Sequence, residues 1–148
     1  MAQLIDVHNK LGGTVIALER VPREEVSRYG IVRSEEVGGR IHRILDMVEK
    51  PPVDEAPGEY AIMGRYVLSP SVFPLMAEGH LGAGGEIQLT DALRRLAAVE
   101  PVWGVVYRGH RFDCGTQKGW LAANVGLALE DPELRKVVLD SLDRKSVV

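Results

Sequence analysis

The sequence has one cysteine, Cys114, in 148 residues. A single thiol closes no internal disulfide, so the fold must rest on its core, and the expected setting is a reducing cytoplasm. Basic residues are not in excess. Lys and Arg number 18 against 21 Asp and Glu, for a net charge of −3, which excludes the basic stripe a nucleic-acid partner would require. No apolar run approaches the roughly 20 residues that span a bilayer, so no membrane partner is expected. The opening "MAQLIDVHNK" lacks a basic segment followed by an apolar one, and the expectation is that it is not a secretory signal. The histidines, His8, His42, His80 and His110, stand singly, without zinc-type spacing. There is no G-x-S-x-G elbow, no G-x-G-x-x-G and no phosphate loop with a Lys-Ser/Thr ending. Repeats and low-complexity linkers are absent too.

What is present reads as one domain over residues 1–148, with 45% hydrophobic and 26% charged residues. A helix is expected over 1–11, stopped by Gly12-Gly13. The aliphatic run 14–21 reads as a strand, and proline with acids opens a short helix over 22–30. A brief strand follows at Gly30. Residues 40–50 alternate as a strand ended by Pro51-Pro52, and 60–69 form a nearly continuous apolar strand. Helices are expected over 69–79, 87–100, 116–130 and 131–142, with a strand over 101–109 between the second and third. Strands alternating with helices predict an α/β fold with a largely parallel sheet. A partner strand seems to be needed before residue 14, so a bare sheet edge is expected.

Several short stretches could carry chemistry. In "MVEKPP", Glu49 and Lys50 meet at a strand end. A carboxylate that accepts hydroxyl donors beside an ammonium that pairs with phosphate suits a sugar phosphate, although a surface Glu-Lys pair explains the same residues. In "RFDCG", Asp113 lies between a strand and a helix, where open α/β sheets bind ligands. Its hard carboxylate suits Mg²⁺, and helix capping explains it equally well. Cys114 beside it reads as a buried structural thiol. "GAGGEIQLTD" (82–91) carries Glu86 in a glycine-rich entry to a helix that Thr90 or Asp91 could cap. Gly30 could let a ligand hydroxyl reach the backbone. Gly64, inside a strand, suggests a close neighbour.

Together, "TVIALERVPREEVSRYGIV", "MVEKP", "AIMGRYVLSPSVF", "GAGGEIQLTDAL" and "YRGHRFDCGTQKGWLAANVGLAL" resemble the bacterial UTP–glucose-1-phosphate uridylyltransferases, also called UDP-glucose pyrophosphorylases. They stand in that family's order over about residues 1–135. The resemblance implies a Rossmann-like nucleotide-diphospho-sugar transferase fold, with an incomplete, mixed, mostly parallel sheet flanked by helices. It implies that Glu49 and Lys50 hold the sugar hydroxyls and the sugar phosphate, that Gly30 offers its backbone to glucose, and that Asp113 binds a catalytic Mg²⁺. Arg65, Tyr66 and Glu86 would line the same region.

The family's "GxGTR", "PK" and upstream acidic pair do not occur here. The expectation is therefore a C-terminal, sugar-phosphate-binding portion that meets UTP only with an N-terminal segment and is inactive alone. Helices over 116–148 would support a homo-oligomer. The resemblance implies transfer of a uridylyl group to glucose 1-phosphate, giving UDP-glucose and pyrophosphate. A non-catalytic sugar-phosphate-binding or assembly module, or part of a dTTP- or ATP-using sister enzyme, are the alternatives.

Overall fold

The strand-forming runs read from the sequence are strands in the structure, a computed structural model that describes residues 1–77 and 88–143. The described chain forms two compact units, Met1–Tyr107 and Arg108–Val148. In the first, helix α1 (Ala2–Leu11) leads into β1 (Thr14–Arg20). A 3-10 turn (Arg23–Arg28) precedes the hairpin of β2 (Gly30–Gly38) and β3 (Ile41–Glu49). A second 3-10 turn (Val53–Glu55) leads to β4 (Tyr60–Val67), α2 (Val72–Ala77), α3 (Leu89–Ala97) and β5 (Val102–Val106). The second unit contains α4 (Gln117–Glu130) and α5 (Pro132–Asp143).

The sheet is mixed, as expected, but it is not mostly parallel. Only β1 and β5 run parallel, from Thr14↔Val102 to Leu18↔Val106. The pairings β1–β4, β2–β3, β2–β4 and β3–β5 are antiparallel. For β2 and β3 the reason is connection length. A parallel neighbour needs a crossover of a dozen or more residues, whereas β2 and β3 are joined by a tight turn at Gly39–Arg40. The expected bare edge is not at β1, which has β4 on one side and β5 on the other. On the side of β4 away from β1, only Tyr60 and Ala61 pair with a strand, β2, among the described residues.

The period-2 alternation of β1 sorts its side chains to two faces. Val15 and Ala17 pack with Leu4 and Val7 of α1 and Val105 of β5. Ile16 and Leu18 face the other way, into a cluster with Ile44, Met47, Leu93 and Leu96. Helices thus cover both faces, which is why residues 14–18 are all buried and read as a continuous apolar run. The second cluster seats α3 against the sheet, and Arg94 pairs with Asp46 of β3 at 2.7 Å. That seat brings the start of α3 to the end of β3.

Candidate functional site

β3 ends where Pro51 removes a ladder donor, and its last residue, Glu49, lies opposite Gly30, the first residue of β2. Gly30 is buried, and its neighbours leave little space for a side chain. A Cβ there would meet Oε2 of Glu49 at 3.0 Å, Cδ1 of Ile62 at 3.2 Å and Oγ1 of Thr90 at 3.3 Å. Thr90 Oγ1 donates to Glu49 Oε2 at 2.7 Å. The starts of β2 and α3, the end of β3 and the middle of β4 therefore meet at one place.

Tyr66 belongs to the same neighbourhood. Burial pushes its phenol above the usual value near 10, and the negative charge of Glu49 pushes it further the same way. Its placement depends on a bulge in β4. Between Ile16↔Tyr66 and Leu18↔Ile62, two steps of β1 face four of β4, and Gly64 takes up the extra chain at φ 61°. A Cβ at Gly64 would meet nothing within 4 Å among the described residues, so no neighbouring backbone packs against it there and its positive φ is what calls for glycine.

Lys50 follows Glu49 and is exposed, with its backbone in the left-handed region at φ 46°. Few non-glycine residues adopt that conformation, and those that do are held by their surroundings. Here the Lys50 N–H donates to the carbonyl of Tyr29 at 3.0 Å. One residue on, Ser27 Oγ donates to the carbonyl of Pro51 at 2.8 Å. Arg65, the residue before Tyr66, is exposed on β4.

Asp113 lies in the second unit. Its Oδ1 accepts the N–H of Gly115 at 3.0 Å, which closes a turn before α4. The cap of α4 is Thr116, whose Oγ1 accepts the N–H of Gly119 at 3.0 Å, so Asp113 is not the capping residue. Cys114, at the tip of this turn, is exposed and not the buried thiol expected. Glu86 lies outside the described residues, as does the rest of the glycine-rich stretch up to Ile87.

The structure thus brings Gly30 and Glu49 together, leaves Tyr66 within the influence of the Glu49 charge, and sets Lys50 next to Glu49 in the chain. Thr90 is the member that the sequence reading did not assign to the site. It does not cap α3, whose first flanking residue is Gln88 and which has no side-chain cap bond. The available signal was a polar residue three positions before Leu93, inside the buried stripe of α3, where an unpaired hydroxyl would be costly.

A carboxylate held by a hydroxyl over a bare glycine, next to a strained lysine, is suited to a hydroxyl-rich phosphorylated ligand. The family model for nucleotidyl transferases matches residues 1–129, and the chain belongs to that family. It is 41% identical over 143 residues to the UTP–glucose-1-phosphate uridylyltransferase YngB of Bacillus subtilis, covering 97% of this chain and 48% of that protein. It is 40% identical over 135 residues to another UTP–glucose-1-phosphate uridylyltransferase of Bacillus subtilis, covering 91% of this chain and 46% of that protein. Among solved structures, it resembles a UDP-glucose pyrophosphorylase complexed with UDP-glucose, with a TM-score of 0.78 and 39% identity over 82% of this chain and 46% of that one. The chain spans about half the length of the curated relatives it matches. These relatives carry the name of the family that the motifs resemble.

Proposed function

We propose that the chain serves a nucleotidyltransferase that forms UDP-glucose and pyrophosphate from UTP and glucose 1-phosphate, and that it holds the sugar-phosphate and metal side. The observation that carries this reading is the convergence of Glu49, Gly30 and Thr90 at the end of β3, which Lys50 follows in the chain. The names of the relatives support the choice of substrates.

In this reading a phosphate oxygen of glucose 1-phosphate attacks the α-phosphorus of UTP, and the bond to pyrophosphate breaks. The attacking phosphate is already ionised at neutral pH, so catalysis rests on positioning and on neutralising charge. Glu49 accepts hydrogen bonds from the sugar hydroxyls, and Gly30 offers its backbone to the glucose. The Lys50 ammonium pairs with the phosphate as a mobile point charge. Arg65 and Glu86 are carried as further substrate contacts. Asp113 is the residue that would hold Mg²⁺, which supplies neutralisation of phosphate charge when bound. A single exposed carboxylate fits that ion, since Mg²⁺ commonly takes one or two protein carboxylates and completes its shell with phosphate and water. Among the described residues no three acidic, histidine or cysteine side chains cluster, which fits a site shared with substrate rather than a protein cage. A cytoplasmic setting and a homo-oligomer built through residues 116–148 complete the proposal.

Calorimetric titration with glucose 1-phosphate tests it. Binding should be measurable, and Lys50→Ala should weaken it on the order of tenfold or more, the scale of a lost charge-assisted hydrogen bond. No heat with the wild-type chain, or equal affinity for the two chains, would refute the assignment.

A further inference from the structure

Thr90 stands on a different element from the residues of the proposed sugar site, 41 positions along the chain from Glu49. Its side chain is nevertheless buried among them. An ionised carboxylate only accepts hydrogen bonds, so in the Thr90–Glu49 contact the hydroxyl must donate. That donation commits the proton of Thr90 and one position on Oε2. What these two side chains still offer is acceptor only: the lone pairs of Oγ1 and of the carboxylate. Such a surface takes hydroxyl donors and repels phosphate, whereas the cation beside it, Lys50, does the reverse. The two ends of a sugar phosphate are thereby told apart.

We infer that Thr90 is a positioning residue for sugar recognition, whose hydroxyl locks the Glu49 carboxylate over Gly30 in the orientation that accepts a sugar hydroxyl. This rests on the reading of Glu49 given above. Without the lock, the glutamate loses its anchor and regains its rotamer freedom, so an accepted hydroxyl must fix it again on binding. Seating of α3 is a separate matter. Arg94, one helical turn on, donates from Nε to Oδ1 and from Nη2 to Oδ2 of Asp46 at 2.7 and 3.4 Å. Leu93 and Leu96 anchor the same helix in the core. The helix therefore keeps its place when the Thr90 hydroxyl is removed.

Calorimetry on the full chain with glucose 1-phosphate and, separately, inorganic phosphate distinguishes the possibilities. Thr90→Val should weaken glucose 1-phosphate on the order of tenfold, since the lost bond is to a charged group, and leave inorganic phosphate unchanged. Thr90→Ser, which keeps the hydroxyl, should restore affinity to within about twofold. Arg94→Met, which loosens α3 without touching Glu49, should leave the ratio of the two affinities as in the wild type. If Thr90→Val binds glucose 1-phosphate as the wild type does, the inference is overturned while the sugar-site reading stands. The same holds if Thr90→Val and Arg94→Met lose affinity alike, or if Thr90→Ser fails to rescue. If the wild-type chain binds phosphate but shows no preference for the sugar ester, the reading of Glu49 and this inference fall together.

Discussion

Lys50 carries its charge on a backbone that a lysine does not choose freely. A left-handed conformation costs a non-glycine residue on the order of 1 kcal/mol, which glycine avoids. Lys50→Gly should therefore lose no stability in urea denaturation, or gain up to about 1 kcal/mol, after allowing for the greater freedom of glycine in the unfolded chain. The same variant should lose affinity for glucose 1-phosphate. A residue conserving function at the expense of stability behaves this way, and a variant that loses both would mark Lys50 as structural. Gly30 sits at the opposite extreme. Gly30→Ala pushes a methyl against three neighbours at 3.0–3.3 Å, including the Glu49 carboxylate. It should destabilise the fold by about 1–3 kcal/mol and weaken sugar-phosphate binding. Tyr66 offers a reading in pH. Its phenol is raised in the folded state, so the fold binds that proton more tightly than the unfolded chain does. The resulting stability is complete below the unfolded value near 10 and drains away as pH climbs through the folded value. Tyr66→Phe should remove this part of the alkaline loss, as seen in denaturation midpoints compared at pH 9 and above pH 10.

Among the elements, β3 was the most legible. Alternation over 40–50 and the Pro51-Pro52 stop predicted it, and it runs Ile41–Glu49. β2 was read as three residues because its outer half, Arg33–Gly38, is polar and mostly exposed; it holds its shape only by pairing with β3. Strand direction was not legible, since alternation of strand and helix patterns says nothing about pairing across short turns. Of the site, Gly30, Glu49 and Lys50 were visible as local oddities of sequence. Thr90 was not, because a contact across 41 residues leaves no local trace and a threonine near a helix start already has an ordinary explanation as a cap. Side chains that do cap helices are Asp131, before α5, and Thr116, before α4. Thr116→Ala should cost about 1 kcal/mol, with faster amide exchange confined to the first turn of α4.

At the level of the whole molecule, the buried clusters do not extend evenly. Each draws on residues of Met1–Tyr107, while in Arg108–Val148 Ala123 alone is a buried hydrophobic among the described residues. Trp120, Leu121, Leu127, Leu134 and Val137 are more than half exposed. Two helices with so little core are marginal by themselves, and apolar surface of this kind finds cover where it can. The chain should therefore associate in sedimentation at micromolar concentration, with the helicity of α4 and α5 falling on dilution. Leu121→Glu with Leu134→Glu should shift the distribution towards monomer without altering glucose 1-phosphate affinity. A monodisperse monomer whose spectrum is indifferent to concentration would speak against it.

Two short bonds near the lysine have a mechanical corollary. With its amide held by Tyr29 and the next carbonyl held by Ser27, the tip of β3 is stitched to the preceding 3-10 turn. It cannot swing as an independent flap: any adjustment there must drag the 23–30 stretch along. Cutting one stitch, as in Ser27→Ala, should let the pair breathe, so that the amides of Tyr29 and Lys50 quicken together in hydrogen exchange.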